Sequence, residues 1–378
     1  MTADSAVGFV EPGYRQRSLA DVLPAVATAL GVDAGLGTVG LELPPAPSYV
    51  VMLVDGMGQE LVAGHRDHAP YLNAMLAGSE PGTAGVPSTT ATSLTSLGTG
   101  LTPGEHGLVG FTSRVPGSDH VLNSLSWDQD DVDPLVWQPH PTAFERLSRA
   151  GVITSVVSKR EFRESGLTRC GQRGASYVGA DRMGERIAGA VSSSSYAPSV
   201  TYLYDGDLDW TGHRFGVDSP AWRQQLITID SAVEQLREAL PPATRLLVVA
   251  DHGMVDSGPD SRVDVDQTAG LRDGVALLGG EARFRHVYCR DGATDDVAAT
   301  WRQVLGERAL VLTRDEAIAR GWFGTVEDRV RPRLGDVVAA CTGDTALMSS
   351  KDFPREMKLI GMHGSLTPAE MLVPMLVD

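Results

Sequence analysis

Tyr49-Val50-Val51-Met52-Leu53-Val54-Asp55-Gly56 decides the fold. Six β-favouring residues run without polar alternation and stop at a carboxylate followed by glycine, as a strand buried on both faces does. Similar runs stand at 152–157, 200–204 and 245–250, separated by helix-like segments. This alternation predicts an α/β fold with a mainly parallel sheet sandwiched by helices. Ligands of such sheets gather beyond the carboxyl ends of the strands. Asp55, Asp209 and Asp251 each lie just past a predicted strand end, so three distant carboxylates are expected on one edge.

Working outward, residues 18–31 (SLADVLPAVATALG) open on a serine and close on Gly31 with apolar residues at helical spacing, which predicts a helix despite Pro24. From 279 to 341 the pattern changes to HVYCR, DDVAATWRQVL, RALVL, DEAIARGWF and DVVAAC, short strands and helices in a different order. This predicts a small inserted α+β cap at 279–341, interrupting a core formed by 1–278 and 342–378. A chain of 378 residues is long enough for such a core and insert.

Apolar residues make up 42% and charged residues 21%, so a packed globular protein is expected rather than disorder. The net charge of -16 argues against a stable nucleic-acid complex, since such grips displace counterions with Lys and Arg. An acidic protein that handles an anion needs local positive charge, and bound metal ions supply it. Cys170, Cys289 and Cys341 are odd in number and far apart, which predicts buried free thiols rather than disulfides or a thiolate metal site. The N-terminal MTADSAVGFVEPGYRQRSL lacks a basic start followed by an apolar run, and no stretch approaches a membrane span. A cytoplasmic protein without membrane partners is expected; the oligomeric state is not readable.

Asp209-Trp210-Thr211-Gly212-His213 sets a carboxylate and an imidazole four residues apart, close enough to meet on one turn, although Asp and Gly are also common loop residues. Asp251-His252-Gly253 puts two ligands at a strand end, with the glycine allowing a bend, but a strand ending in a polar turn is common too. His363 in GMHG fits a ligand or a surface turn. Thr90 in VPSTTATS fits a helix cap and also a nucleophile at a helix N-terminus, where free N–H groups favour a phosphate.

In their order along the chain these motifs resemble the alkaline phosphatase superfamily, in particular its type I phosphodiesterase and nucleotide pyrophosphatase branch. The stretch GTGLTPGEHGLVG and the closing GSLTPAEMLVPMLV are similar to segments of that family. The resemblance implies two divalent ions, Zn²⁺ or Mn²⁺, one held by Asp209, His213 and His363 and the other by Asp55, Asp251 and His252. Thr90 matches the nucleophile that bridges toward the second ion. A phosphodiesterase acting on a small anionic nucleotide diester is implied. Similar bacterial members hydrolyse cyclic di-AMP, so a cyclic or linear dinucleotide is the leading substrate.

One departure stands out. Nucleotide pyrophosphatases usually place a phosphate-binding asparagine soon after the HG, where this chain has Gly110-Phe111-Thr112; Thr112, Arg114 and Lys159 are the replacements considered. The nearest rival activity is that of phosphonoacetate hydrolase, which resembles this branch in metals and nucleophile. The sulfatase nucleophile signature is absent around Thr90, and the metal-dependent mutases usually present serine there. A silent nucleotide sensor would not need Thr90.

Overall fold

The computed structural model describes residues 8–378. The first seven residues of the N-terminal stretch, included in the leader and core expectations, lie outside the described residues. In chain order the site is built from α1 (Val22–Ala29), β1 (Ser48–Val54), α2 (Thr90–Thr99), β2 (Thr112–Arg114), β3 (Val121–Asn123), β4 (Ile153–Ser158), β5 (Ser176–Gly179), β6 (Ser199–Asp205), α3 (Asp207–Phe215), α4 (Pro220–Ala239) and β7 (Thr244–Val249). There follow β8 (Val275–Glu281), β9 (Phe284–Cys289), α5 (Thr294–Leu305), β10 (Ala309–Thr313), β11 (Val337–Cys341) and β12 (Met375–Val377).

The central sheet runs β12-β7-β1-β6-β4-β5. Its neighbours are parallel except for the β12 edge, which is antiparallel to β7. All seven residues of β1 are buried, because helices cover both faces. Among those helices α4 starts at Pro220 with the Ser219 hydroxyl accepting from Trp222 N, and buries Trp222, Leu226, Ile229, Val233 and Leu236 at helical spacing. The expected N-terminal helix opens as a tight turn at Leu19–Asp21 and continues as α1. Pro24 sits in its first turn, where a missing N–H costs no intrahelical bond.

Register does the positioning. Val54 pairs with Asp205 and Leu53 with Val249, so β1, β6 and β7 end level with one another. The residues that follow, Asp55, helix α3 with Asp209, and Asp251, therefore emerge side by side on the carboxyl edge.

Residues 275–341 carry a second, four-stranded antiparallel sheet, β8-β9-β11-β10, with α5 against it. Its first strand begins at Val275, before residue 279, where the sequence reading starts the cap. Packing ties this sheet to the core. Phe284, Trp322, Phe323 and Leu334 belong to the same apolar cluster as β1, while Trp301 centres a second cluster. Trp322 and Phe323 are fully buried and so face the interior rather than a substrate. A buried bidentate pair adds to this: Arg283 Nε and Nη2 each donate to the Glu370 carboxylate at 2.7 Å. Cys170, Cys289 and Cys341 are free and buried. Among the described residues no helix is long and apolar enough to cross a membrane.

Candidate active site

Asp55, Asp251 and His252 converge at the ends of β1 and β7, and their ligand atoms lie within 4.8 Å of one another. Asp209, His213 and His363 form a second such group, from one turn of α3 and the loop before the C-terminus. His213 Nε2 lies 3.3 Å from Asp209 Oδ2, and His363 Nε2 lies 3.8 Å from Asp209 Oδ1. The groups adjoin, since the His252 and His363 rings stack with centroids 3.6 Å apart.

Each histidine is turned the same way. Nδ1 of His213, His252 and His363 meets the carbonyl of Gly361, Gly253 and Ser88 at 2.8, 2.9 and 2.9 Å. A carbonyl only accepts, so Nδ1 carries the proton and Nε2 presents its lone pair to the centre, the arrangement that metal-binding histidines need. Gly253 fits for a reason other than a bend. A Cβ there would stand 1.9 Å from the Ala369 carbonyl oxygen, so the glycine permits close backbone approach.

The electrostatics call for cations. Asp55 Oδ1, Asp209 Oδ1 and Asp251 Oδ2 are buried without a hydrogen-bond partner among the described residues. Burial, then the charges of Asp251 and Asp209, pushes the Asp55 carboxyl well above the usual range. Burial also raises Asp251, opposed by His252 and reinforced by Asp209. The His363 imidazole is held well below its usual value by burial, then by His252 and His213. Crowded buried carboxylates are what divalent ions would stabilise, since their charge reverses these penalties. The residues present thus fit two ions.

Thr90 is the first residue of α2, and Thr89 is its cap residue, though without a side-chain capping bond. Thr90 Oγ1 lies 3.4 Å from Asp55 Oδ2 and 3.3 Å from His252 Nε2, so it belongs to the more buried group. At a helix N-terminus the first N–H groups lack intrahelical acceptors and favour an anion. Ser93 Oγ donates to the Asp251 carbonyl at 2.8 Å, which fixes α2 to the strand end.

The structure also brings in residues that the motifs did not reveal. Tyr204 Oη donates to Asp55 Oδ2 at 2.6 Å; in the sequence it reads as one more strand aromatic. The replacements considered for the missing asparagine are engaged elsewhere. Thr112 Oγ1 donates to the Gly280 carbonyl, Arg114 Nε to that of Ser118, and Lys159 pairs with Asp207. Asn123, cross-strand from Thr112, lines the cavity beside Thr90 instead. Its Oδ1 accepts from Leu125 N and Ser126 N, and its amide nitrogen has no hydrogen-bond partner among the described residues. Glu281 lines the same cavity; Oε1 accepts from Phe111 N at 2.5 Å, and burial pushes its carboxyl up to about 8.

A mainly parallel sheet carrying paired Asp/His groups and a helix-borne threonine on its carboxyl edge is the architecture of the alkaline phosphatase superfamily. Within it, this chain belongs to the type I phosphodiesterase / nucleotide pyrophosphatase family, which matches residues 49–366. Mouse ectonucleotide pyrophosphatase / phosphodiesterase 5 superposes with a TM-score of 0.67 at 18% identity, covering 87% of each chain. An inactive form of that protein in complex with AMP gives a TM-score of 0.67 at 17% identity over 88% of each chain. Phosphonoacetate hydrolase from Sinorhizobium meliloti 1021, in complex with phosphonoformate, gives 0.66 at 20%, covering 88% of this chain and 90% of that one. At these identities the likeness establishes the fold. Sequence similarity to human ectonucleotide pyrophosphatase/phosphodiesterase family member 7 is local: 40% over 57 residues, 14% of this chain and 12% of that protein. That to GPI ethanolamine phosphate transferase 3 of Schizosaccharomyces pombe is 39% over 51 residues, 14% of this chain and 6% of that protein. The matched segment thus spans a small part of either relative's length.

Proposed function

We propose that the chain is a dinuclear-metal phosphodiesterase acting on nucleotide diesters, with cyclic or linear dinucleotides such as cyclic di-AMP as the substrate class. Asp209, His213 and His363 would hold one ion, and Asp55, Asp251 and His252 the other, with Thr90 facing the second. Two divalent ions, Zn²⁺ or Mn²⁺, would neutralise the diester and ease ionisation of the attacking hydroxyl.

The chain's own groups supply the remaining steps. Thr90 Oγ1 attacks phosphorus in line while the first-turn N–H groups of α2 and the Asn123 amide hold the non-bridging oxygens. The bond to the leaving oxygen breaks, that oxygen takes the proton given up by Thr90, and the first alcohol departs. Water then cleaves the phospho-threonine and restores the hydroxyl. Tyr204 keeps Asp55 oriented throughout.

The observation that carries this reading is the placement of Thr90 Oγ1 at a helix N-terminus within 3.4 Å of both Asp55 and His252, beside a second Asp/His group. Among the described residues no Lys or Arg lines the smaller cavity at Thr90 and Arg355, exposed, is the one that lines the larger, so a cation beside Thr90 for the extra oxygen of a monoester is lacking and diesters are favoured. The larger cavity, about 570 Å³, exceeds what a two-carbon phosphonate requires, which favours a nucleotide over phosphonoacetate.

The test is a parallel assay of a linear and a cyclic dinucleotide, bis-p-nitrophenyl phosphate, p-nitrophenyl phosphate and phosphonoacetate, with metal content measured on the same sample. Turnover of the diesters that is lost on chelation supports the reading; preference for the monoester or the phosphonate contradicts it. The proposed setting is the cytoplasm, which cell fractionation tests.

A further inference from the structure

Two cavities open from Thr90, and they differ in size and wall. The smaller, about 190 Å³, is bordered by Asp55 and Tyr204; the larger, about 570 Å³, is bordered by His213 and His363. Thr90, Leu125 and Asp209 line both, so a phosphoryl group at Thr90 sends one substituent into each. Thr90 Oγ1 stands against Asp55 and His252. In-line displacement puts the leaving oxygen on the far side of phosphorus from that atom. The far side is the Asp209, His213 and His363 group, and hence the larger cavity.

The wall of that cavity combines apolar surface with one unbalanced charge. Phe111, Phe353 and Met362 supply flat or soft apolar contacts. Apart from the ligand group, the ionisable side chains on it are Glu281, Asp352, Arg355 and Glu356. Glu356 is ion-paired with Arg285, and Asp352 with Arg272. Glu281 turns Oε1 to the Phe111 N–H, and burial pushes its carboxyl up to about 8. The exposed Arg355 makes no ion pair or side-chain hydrogen bond among the described residues. Acidic side chains outnumber basic ones 48 to 32, so an arginine without a carboxylate at an active-site rim is poised for an external anion.

Resting on the function proposed above, we propose that the larger cavity is the leaving-group subsite and that Arg355 selects a leaving group with a flat apolar body and a second anion of its own. In nucleotide terms the substrate is a linear dinucleotide carrying a 5′-phosphate. The bond from Thr90 Oγ1 to phosphorus forms, and the bond from phosphorus to the 3′ oxygen breaks. That oxygen takes the Thr90 proton, and a nucleoside 5′-monophosphate departs through the larger cavity. Water then releases the second nucleoside 5′-monophosphate from Thr90.

The experiment compares kcat/KM of the metal-loaded full chain for one linear dinucleotide with and without its 5′-phosphate, in the native protein and in Arg355→Ala and Arg355→Lys. The native protein should prefer the phosphorylated form by about tenfold, the size of one charge-assisted hydrogen bond. Arg355→Ala should erase that preference while changing turnover of the unphosphorylated form by less than about twofold, as expected for an exposed side chain away from the reacting atoms. Arg355→Lys should restore part of it, and added salt should shrink the preference in the native protein and in Arg355→Lys but not in Arg355→Ala. Equal losses on both substrates, or a preference that survives in Arg355→Ala, would overturn the assignment while leaving the phosphodiesterase reading intact. Failure of the native protein to cleave either dinucleotide, with bis-p-nitrophenyl phosphate also untouched, would overturn that reading and this inference with it.

Discussion

The two Asp/His groups are alike in chemistry and unlike in construction. Asp55, Asp251 and His252 are 2%, 0% and 0% exposed and come from adjacent strand ends whose level register brings them together. Asp209 and His213 ride on a half-buried helix turn, and His363 comes from a loop near the C-terminus. That loop is braced by Glu370, which accepts from Ser365 N and is itself held by Arg283 of the inserted sheet. The difference separates two tasks. The closed group keeps Thr90 out of water, and in the proposed mechanism the open group faces the cavity through which a leaving group and water pass. It also means that the inserted sheet supports the open group, so excising the segment would strand a buried Glu370 charge, a change of several kcal/mol for a typical buried pair.

Substitutions at four positions sharpen this contrast. The largest effect is expected from Thr90→Ala, which should remain folded with normal metal content yet lose several orders of magnitude in turnover, while Thr90→Ser retains more. Rates and metal stoichiometry on one preparation check this. Next, His363→Ala should release one ion and leave the other, because only the open group loses a ligand; dialysis followed by metal analysis reads the stoichiometry. Loss of both ions together would show that the groups form one unit. Third, Tyr204→Phe removes the hydroxyl on Asp55 and should weaken the closed group alone, by about tenfold in metal affinity. Competition with a chelator would reveal instead whether the open group weakens equally.

The smallest effect concerns Glu281. Its folded carboxyl titrates at about 8 against an ordinary 4.5, so between those values the folded chain holds a proton that the unfolded chain has lost. Stability attributable to this group is therefore full below about 4.5, falls as pH rises through the window, and is flat above it. Glu281→Gln removes the fall, so denaturant unfolding should show the variant gaining on the native protein between pH 5 and pH 8. An unchanged difference would mean that Glu281 is ionised in the folded state.

What was legible in the sequence follows the same divide. Strand ends announce themselves, since an apolar run stopping at Asp55 or at Asp251-His252 carries both the fold and the ligand, and one turn of helix joins Asp209 to His213. The walls do not announce themselves. Asn123 acquires meaning from its cross-strand place opposite Thr112, Tyr204 from the direction of one hydroxyl, and Arg355 from the absence of a partner. Each is a tertiary relation that local spacing cannot encode. The start of β8 at Val275 is likewise a tertiary relation, set by pairing with Cys289 rather than by local pattern.

In the proposed mechanism Thr90, rather than water, strikes phosphorus first. A chiral phosphorothioate diester of one known configuration, hydrolysed in ¹⁸O-labelled water, tests that directly, because every in-line displacement inverts the phosphorus centre. Two displacements through Thr90 predict overall retention of configuration in the product. Overall inversion would mean a single attack by water and would contradict the mechanism.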